Sequence, residues 1–358
     1  MKKVMVGMSG GVDSSVAALL LRDSGYDVTG VTLKLFSDED IVQAEKEGKT
    51  CCALSDVEDA RSVAYRLGFE HIVFNFKDNF REHVMKKFAD SYLAGRTPNP
   101  CIECNRHVKF DKMLRRAQEL GYDYIATGHY AVNEYDEKSG RYLLKRPADR
   151  SKDQTYVLYS LTQEQLAHTL FPLGTLEKSQ VRGIAENAGL VNSSKPDSQD
   201  ICFVPDGKYA EFISRFTGTT PETGDFVSME GRILGRHKGI INYTIGQRKG
   251  LEISLGKPAY VVRKDVETNT VTLGDNSDLF TDYLIADDVN LISVAEISEP
   301  MKITAKTRYS QTEQPATLSY LGEGEYRVDF DTPQRAITSG QAVVFYDGDI
   351  VVGGGTIK

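Results

Sequence analysis

The segment Ser9–Ser15, with the sequence SGGVDSS, places two adjacent glycines between an apolar strand, Lys3–Met8, and a helix predicted over Ser14–Asp23. Glycines lack the Cβ atom that would keep the backbone away from a pyrophosphate. The N-terminus of the following helix presents free N–H groups to an anion, and Asp13 can orient Mg²⁺ or cap the helix. The lysine of GxxxxGK[ST] is absent, so this phosphate loop is not of the Walker type. A plain glycine-rich turn capped by Ser or Asp is the alternative.

Strands alternate with helices through the first half of the chain. This order predicts a doubly wound α/β fold with a parallel sheet, whose ligands lie beyond the carboxyl ends of the strands. Further strands are predicted at Asp27–Lys34, His71–Phe74 and Tyr124–Thr127, and further helices at Val57–Leu67, Phe80–Leu93 and Asn105–Leu120.

After about residue 205, glycine and threonine become frequent and short alternating runs replace helices. This pattern is typical of small antiparallel barrels. We therefore predict three domains, over residues 1–205, 206–275 and 276–358, the last a β-barrel. The strand-like runs are Ala259–Arg263, Thr270–Leu273, Ile303–Thr307, Ala316–Tyr320, Tyr326–Phe330 and Ala342–Tyr346.

Composition narrows the class of protein. The 358 residues carry a net charge of −8 and contain five cysteines. No apolar run reaches the ~18 residues of a membrane span, and Met1–Lys3 leads directly into a strand, leaving no room for a secretory or transit segment. We therefore expect a cytoplasmic protein without a membrane partner. An odd cysteine number then favours thiol or metal chemistry over a disulfide framework.

Three cysteines lie in segments that suggest chemistry. Cys101 and Cys104 belong to TPNPCIECN at 97–105, and Cys104 is expected at the start of a helix, whose dipole would favour the thiolate. Cys202 follows a polar loop and meets Cys104 only if the fold brings the two together. A zinc site formed with His107 is an alternative, although a second Cys-x-x-Cys is missing. The pair Cys51-Cys52 more plausibly packs than reacts.

Local charge modifies the inference from net charge, which alone argues against a nucleic-acid partner. Arg232–Lys249 contains five basic residues and no Asp or Glu, and Arg106–Arg116 contains five basic residues against one Asp. Leu251–Pro300 carries ten acidic residues against three basic ones. Basic segments neutralise phosphates, so RNA remains a candidate partner, with solvated surface as the alternative and Tyr243 able either to stack or to pack.

SGGVDSS resembles the loop of the PP-loop ATP pyrophosphatases, which cleave ATP between the α and β phosphates. Within that class, the chain resembles the tRNA-specific 2-thiouridylases of the MnmA (TrmU) type over most of its length. The resemblance implies a PP-loop domain, a central tRNA-contacting domain and a C-terminal β-barrel. It rests on GMSGGVDSS at 7–15, TPNPCIECN at 97–105, ATGHYA at 126–131, KDQTYVL at 152–158, SQDICF at 198–203 and YTIGQRKGL at 243–251.

The resemblance also implies roles for individual residues. Cys104 matches the nucleophile, and Cys202 the cysteine that carries sulfur as a persulfide. Cys101 stands where many members have an Asp that is assigned acid/base catalysis, so Cys101 would carry out that role as a thiol. The implied ATP contacts are Gly7, Met8, Ser9, Gly10, Gly11, Val12, Asp13, Ser14, Leu33 and Gly128. The implied contacts to the target base are Asn99, Pro100 and Cys101, and those to the rest of tRNA are His129, Lys152, Asp153, Gln154, Arg308, Tyr309 and Gln341.

The function expected from this resemblance is 2-thiolation of the wobble uridine of Lys, Glu and Gln tRNAs, with ATP and Mg²⁺. Adenylation makes the 2-carbonyl oxygen leave as AMP, and a persulfide, loaded by a cysteine desulfurase or relay protein, supplies nucleophilic sulfur. The reaction ends in a Cys104–Cys202 disulfide. A [4Fe-4S] cluster on Cys101, Cys104 and Cys202 is a rival mechanism. A PP-loop synthetase that amidates a small molecule and a non-catalytic RNA-binding module are rival functions.

Overall fold

The computed structural model describes residues 1–36, 54–197 and 201–358. Its first unit is a five-stranded parallel sheet in the order β3-β2-β1-β4-β7. Alternate residues of β1 enter different cores: Val4 and Val6 pack under one layer of helices and Met5 under the other. The predicted doubly wound sheet is thereby confirmed. The strands are β1 Lys3–Gly7, β2 Asp27–Lys34, β3 Glu70–Asn75, β4 Tyr124–Thr127 and β7 Thr169–Leu170.

Two of the helices contain π-helical segments. Helix α3 runs through Lys77–Phe80, the π-helical Arg81–Lys86 and Lys87–Leu93, and α4 through Pro100–Cys104, the π-helical Asn105–Lys112 and Met113–Glu119. The remaining helices are α1 Val12–Asp23, α2 Leu54–Leu67, α5 Gln163–Ala167, α6 Lys178–Asn187 and α7 Tyr209–Thr217. Within the described residues, none of the helices has the length and apolar character needed to cross a membrane.

A smaller four-stranded sheet, in the order β10-β11-β8-β9, follows α7. Its buried Phe226 and Val261 share one hydrophobic cluster with Phe80 and Phe88 of α3. Packing is therefore continuous between this sheet and the first unit. The strands are β8 Gly224–Val227, β9 Ile233–His237, β10 Tyr260–Asp265 and β11 Thr270–Gly274.

The last unit is an antiparallel barrel of six strands, closed by pairing of β12 with β17. The predicted C-terminal barrel is confirmed. Two strands of it, β12 and β17, were absent from the sequence prediction. The strands are β12 Phe280–Leu291, β13 Met301–Lys306, β14 Gln314–Gly322, β15 Glu325–Arg335, β16 Ala342–Asp347 and β17 Ile350–Ile357.

A hairpin from the first half of the chain extends the barrel sheet. Its strands, β5 Val132–Asp136 and β6 Arg141–Lys145, pair with each other, and β6 joins β17 through Ile350 and Lys145. Sequence analysis assigned no strands here. The predicted boundaries near residues 205 and 275 stay predictions, and the three units are joined by shared packing as well as by the chain.

Candidate active site

The phosphate loop lies where the strand order of the parallel sheet reverses, beyond the carboxyl end of β1. Gly10 has φ +75°, and a Cβ there would stand 2.5 Å from the carbonyl oxygen of Asp56. The Ser14 hydroxyl accepts the Ser9 N–H at 3.3 Å and donates to the Gly11 carbonyl at 3.1 Å. The bend is therefore formed by the chain itself, with bare backbone at the position where a phosphate would approach.

A second glycine brings β4 to the same place. A Cβ on Gly128 would lie 2.6 Å from the Ser14 nitrogen and 2.7 Å from the Asp13 carbonyl carbon. Only glycine permits so close an approach to the start of α1. Leu33 lies near the end of β2, the strand on the other side of β1, and is half-buried against two hydrophobic clusters. The residues predicted to contact ATP thus meet at one edge of the sheet.

Lys178 brings a cation to this loop from a distant part of the sequence. Its Nζ lies 2.7 Å and 2.8 Å from the two carboxylate oxygens of Asp13, and the Tyr130 hydroxyl donates to Asp13 Oδ1 at 2.9 Å. Lys178 is only 9% exposed. Sequence analysis missed both partners because 165 positions separate Asp13 from Lys178; Tyr130 carried only the weak signal of lying within ATGHYA.

Asp197 continues this network toward the segment that carries Cys202. It pairs with Lys178 at 2.7 Å, Lys152 at 2.9 Å and Arg182 at 3.3 Å. Burial acts to raise the pKa of Asp197, but hydrogen bonds from Lys178 and Lys152 outweigh burial and hold the pKa below its ordinary value. Asp197 is therefore a carboxylate that ties three cations together beside the phosphate loop.

The residues just before Asp197 also support the phosphate loop. Asn192 is buried and donates through Nδ2 to the Gly10 carbonyl and to Ser15 Oγ, both at 2.9 Å. Lys195 pairs with Asp56 at 2.5 Å and with Asp59 at 2.7 Å. These contacts, also missed from sequence, fix the path of the loop. Asn192 and Lys195 gave no motif by which sequence reasoning could have found them.

The helix that carries Cys101 and Cys104 begins earlier than predicted. Asn99 caps it by accepting the Cys101 N–H at 3.1 Å, and Pro100 occupies its first turn, where a missing N–H costs nothing. Cys101 is therefore the thiol in the first turn, whereas Cys104 lies one turn further in. The expected placement of Cys104 at a helix start was wrong.

Burial dominates the acidity of Cys104. The residue is 8% exposed, and burial raises the pKa of its thiol to about 11, although the Lys109 ammonium acts to lower it. Because the charged form loses hydration, the resting residue is a thiol. The predicted activation by the helix dipole was wrong for this state.

Cys202 lies on the same hydrophobic cluster as Cys104. Its neighbour Phe203 packs edge-on against Phe80 and Phe88, with ring centroids 5.7 Å and 5.2 Å apart. The fold thus brings the two cysteine segments to one cluster, and the reaction between the two thiols stays a prediction. The motif residues Ser198, Gln199 and Asp200, like Cys51 and Cys52, lie outside the described residues.

Tyr309 of the barrel is placed near Cys101. Burial, the Asp153 carboxylate and Cys101 all act to raise the pKa of its hydroxyl, against Lys152. Tyr309 is 46% exposed, and the Lys306 ammonium lies 5.6 Å from its ring centroid. An exposed aromatic ring beside a cation is a surface on which an RNA base can stack.

Several residues predicted to contact tRNA make internal hydrogen bonds. His129 is buried against Phe110 and Phe171 and pairs with Thr127 Oγ1 at 2.8 Å, and burial holds its pKa well below the ordinary value. Gln154 Oε1 accepts the Tyr130 N–H, and Asp153 Oδ1 accepts the Thr155 N–H. Their contacts with tRNA stay predictions.

Models of known families match the chain from end to end. A tRNA methyl transferase HUP domain model matches residues 2–206, a tRNA methyl transferase PRC-barrel domain model residues 210–275, and an aminomethyltransferase beta-barrel domain model residues 281–357. A tRNA-specific 2-thiouridylase of Clostridioides difficile (strain 630) is 56% identical over 357 residues, covering 100% of this chain and 98% of that protein. The chain belongs to the family of tRNA-specific 2-thiouridylases.

Other 2-thiouridylases are equally similar. The one from Acetivibrio thermocellus is 57% identical, covering 100% of this chain and 99% of that protein. Among solved structures, a 4-thiouridine synthetase–RNA complex with bound ATP is 17% identical, with a TM-score of 0.38, covering 61% of this chain and 52% of that one.

The iron–sulfur alternative finds no support in the 2-thiouridylase site. Within residues 1–36, 54–197 and 201–358, no three Cys, His, Asp or Glu side chains are grouped so that they could hold a metal ion. Cys101, Cys104 and Cys202 therefore do not form a ligand set there, and neither do Cys101, Cys104 and His107.

Proposed function

We propose that this chain catalyses ATP-dependent 2-thiolation of the wobble uridine of tRNA, releasing AMP and pyrophosphate. The observation that carries the proposal is the joining of two reactive regions. Ion pairs run from Asp13 of the phosphate loop through Lys178 to Asp197, and the segment after Asp197 leads to Cys202, which shares a hydrophobic cluster with Cys104. An enzyme that amidates a small molecule would need the loop but neither thiol.

ATP lies in this proposal along Gly7–Ser14, with its adenine beside Leu33 and its phosphates near Gly128. Lys178 supplies the cation that the loop itself lacks. Asp13 is the residue that would hold Mg²⁺, which is commonly bound by one or two carboxylates together with substrate phosphates, and the carboxylate would then be shared with Lys178. When bound, Mg²⁺ would neutralise charge that develops on pyrophosphate.

The first chemical step activates the base. The O2 atom of uridine attacks the α-phosphorus, pyrophosphate leaves, and the N3 proton passes to Cys101, which is exposed in the first turn of α4. The product is an O-adenylated uridine whose C2 can be attacked.

The second step delivers sulfur. The terminal sulfur of a Cys202 persulfide attacks C2 and AMP leaves. Cys104, after losing its proton to solvent, attacks Cys202 Sγ and breaks the sulfur–sulfur bond, so that 2-thiouridine and a Cys104–Cys202 disulfide form. In a second route, Cys104 attacks first and the released hydrosulfide attacks C2. A dithiol reductant reopens the disulfide in both.

The tRNA contacts belong to the same proposal. Asn99, Pro100 and Cys101 face the target base, and His129, Lys152, Asp153, Gln154, Arg308, Tyr309 and Gln341 contact the rest of the tRNA. Tyr309 is the member of this set that presents an exposed ring. The substrates are Lys, Glu and Gln tRNAs in the cytoplasm, and the persulfide comes from a cysteine desulfurase or a relay protein.

Nucleoside mass spectrometry of tRNA incubated with the chain, ATP, Mg²⁺ and a persulfide donor tests the function. We expect 2-thiouridine at the wobble position with the wild type and none with Cys104→Ser or Cys202→Ser, each of which keeps its affinity for tRNA. Normal thiolation by either serine variant would refute the two-thiol chemistry, and absence of 2-thiouridine with the wild type would refute the function.

A further inference from the structure

A loop of the C-terminal barrel holds the backbone that leads to the cysteine helix. The Thr97 N–H donates to the Ser339 carbonyl at 2.9 Å, and Gln341 Nε2 donates to the Thr97 carbonyl at 2.8 Å. Both backbone hydrogen-bonding groups of Thr97 are thus paired with the barrel. Thr97 is buried, so loss of either contact would leave an unsatisfied polar group.

The two backbones are also in close contact. Gly340 has φ +86°, and a Cβ there would stand 2.9 Å from the Cβ of Arg96 and 3.0 Å from the Thr97 nitrogen. A side chain at this position would push the barrel loop off the segment. Glycine is therefore required here both for its backbone conformation and for the contact.

The loop is in turn fixed within the barrel. Arg308 Nη2 donates to the Ala336 carbonyl at 2.7 Å and to Thr338 Oγ1 at 3.1 Å. The Gly340 N–H donates to the Ile357 carbonyl at 2.8 Å. Because these hydrogen bonds fix the loop to the barrel, the loop holds Thr97 at a fixed position relative to the barrel.

Only Pro98 separates Thr97 from Asn99, the residue that caps the cysteine helix through the Cys101 N–H. We propose that Gln341 and Arg308 are positioning residues, which hold the start of this helix against the barrel so that Cys101 and Cys104 are in place before tRNA binds. The geometry is independent of the proposed function, and only the consequence for thiolation rests on it.

Gln341 and Arg308 thus have a structural role in the free protein, in addition to the tRNA contact that the family resemblance implies. A residue that only touches tRNA changes nothing when tRNA is absent. A positioning residue changes the exposure of Cys104, which is buried behind the first turn of α4. The two roles are therefore separable by measurements on the protein alone.

The test uses Gln341→Glu, which keeps the shape of the side chain but replaces the N–H donor facing the Thr97 carbonyl by an acceptor. Gln314→Glu is the matched control, since it adds the same charge to the barrel at a residue whose amide donates to the Thr312 carbonyl, two residues away, at 3.3 Å. Gln341→Ala removes the donor without adding charge. Thermal unfolding establishes that each variant is folded.

The readout is alkylation of Cys104 by iodoacetamide, followed by peptide mass spectrometry on the full chain without tRNA. We expect at least a fivefold faster reaction of Cys104 in both Gln341 variants, and faster amide exchange in residues 97–102, with the control unchanged. Wild-type rates in both Gln341 variants would overturn the inference. Because neither measurement requires thiolation, failure of the proposed function would be seen separately.

Discussion

At the scale of single residues, the thiols of Cys101, Cys104 and Cys202 have three different surroundings. Cys101 is exposed in the first turn of a helix, Cys104 is buried, and Cys202 is half-buried next to Phe203. Burial raises the pKa of the Cys104 thiol, because its thiolate loses hydration. Solvent access is the quantity that sequence analysis could not supply.

The first prediction concerns the acidity of Cys104. Alkylation requires the thiolate, and the pKa of Cys104 is about 11. The rate should therefore rise about tenfold per pH unit from 7 to 10 without levelling. The measurement is peptide mass spectrometry in a Cys101→Ser background, which excludes reaction of the neighbouring thiol. A plateau below pH 9 would contradict it.

The raised pKa of Cys104 also affects the free energy of unfolding. Burial keeps the proton on folded Cys104 up to about pH 11, whereas the unfolded thiol loses its proton near pH 9. The unfolded state is therefore favoured increasingly between pH 9 and 11, and the cost approaches about 3 kcal/mol. We expect Cys104→Ala to lose stability less steeply than the wild type over this range in urea titrations. Parallel curves for the two proteins would refute the argument.

At the scale of secondary-structure elements, the start of α1 and the start of α6 are in contact through Asp13 and Lys178. The phosphate loop lies before α1, and Lys178 occupies the first position of α6, so the cation of one element pairs with the Asp13 carboxylate of the other. The motif SGGVDSS was sufficient to predict the loop. Its cation could not be predicted, because packing of α6 on α1 decides which lysine reaches Asp13.

Lys178→Met tests this pairing. We expect at least a tenfold weaker affinity for ATP and a comparable loss of tRNA-dependent AMP release, because Asp13 loses its partner and the phosphates lose a cation. Isothermal titration and AMP quantification measure the two effects. Lys257→Met, which breaks an exposed pair with Asp275, is the control and should leave both unchanged. Equal ATP affinity in the Lys178 variant would contradict the assignment.

At the scale of the whole molecule, Gly354 of β17 marks where the first unit packs on the barrel. A Cβ on Gly354 would lie 2.6 Å from the ring of Tyr159, and one on Gly353 would lie 2.3 Å from the Asn290 carbonyl oxygen. Three consecutive glycines weaken a strand pattern, which explains why β17 was not predicted. Gly354 is required for the contact between units, whereas Gly353 is required for the close approach of β12 within the barrel.

Gly354→Ala tests this contact. The added methyl group must displace a buried aromatic ring, so the free energy of unfolding should fall by about 1–3 kcal/mol. Urea denaturation followed by circular dichroism measures it. Gly183→Ala is the control: apart from the backbone of its own helix and its chain neighbours, no described atom lies within 4 Å of the added Cβ, and the helical site should gain about 0.5–1 kcal/mol. Equal stability of the two variants would refute the packing argument.

The interpretation of the basic segments also required the tertiary structure. Within Arg232–Lys249, Arg236 pairs with Asp225 at 2.9 Å and Lys238 pairs with Glu252 at 2.6 Å, while Arg248 and Lys249 are exposed. The local positive sum is therefore partly neutralised by acidic residues 11 and 14 positions away along the chain. Tyr243 is buried against Phe226 and His237, so it packs in the core.

From sequence alone, the resemblance of short motifs identified the family and predicted the phosphate loop, and local periodicity predicted the parallel sheet and the barrel. The tertiary structure alone decided that Lys178 reaches Asp13, that Cys104 is buried, and that Gln341 holds Thr97. Each of these depends on distance and on exclusion of water between distant segments. Neither quantity is encoded in spacing along the chain.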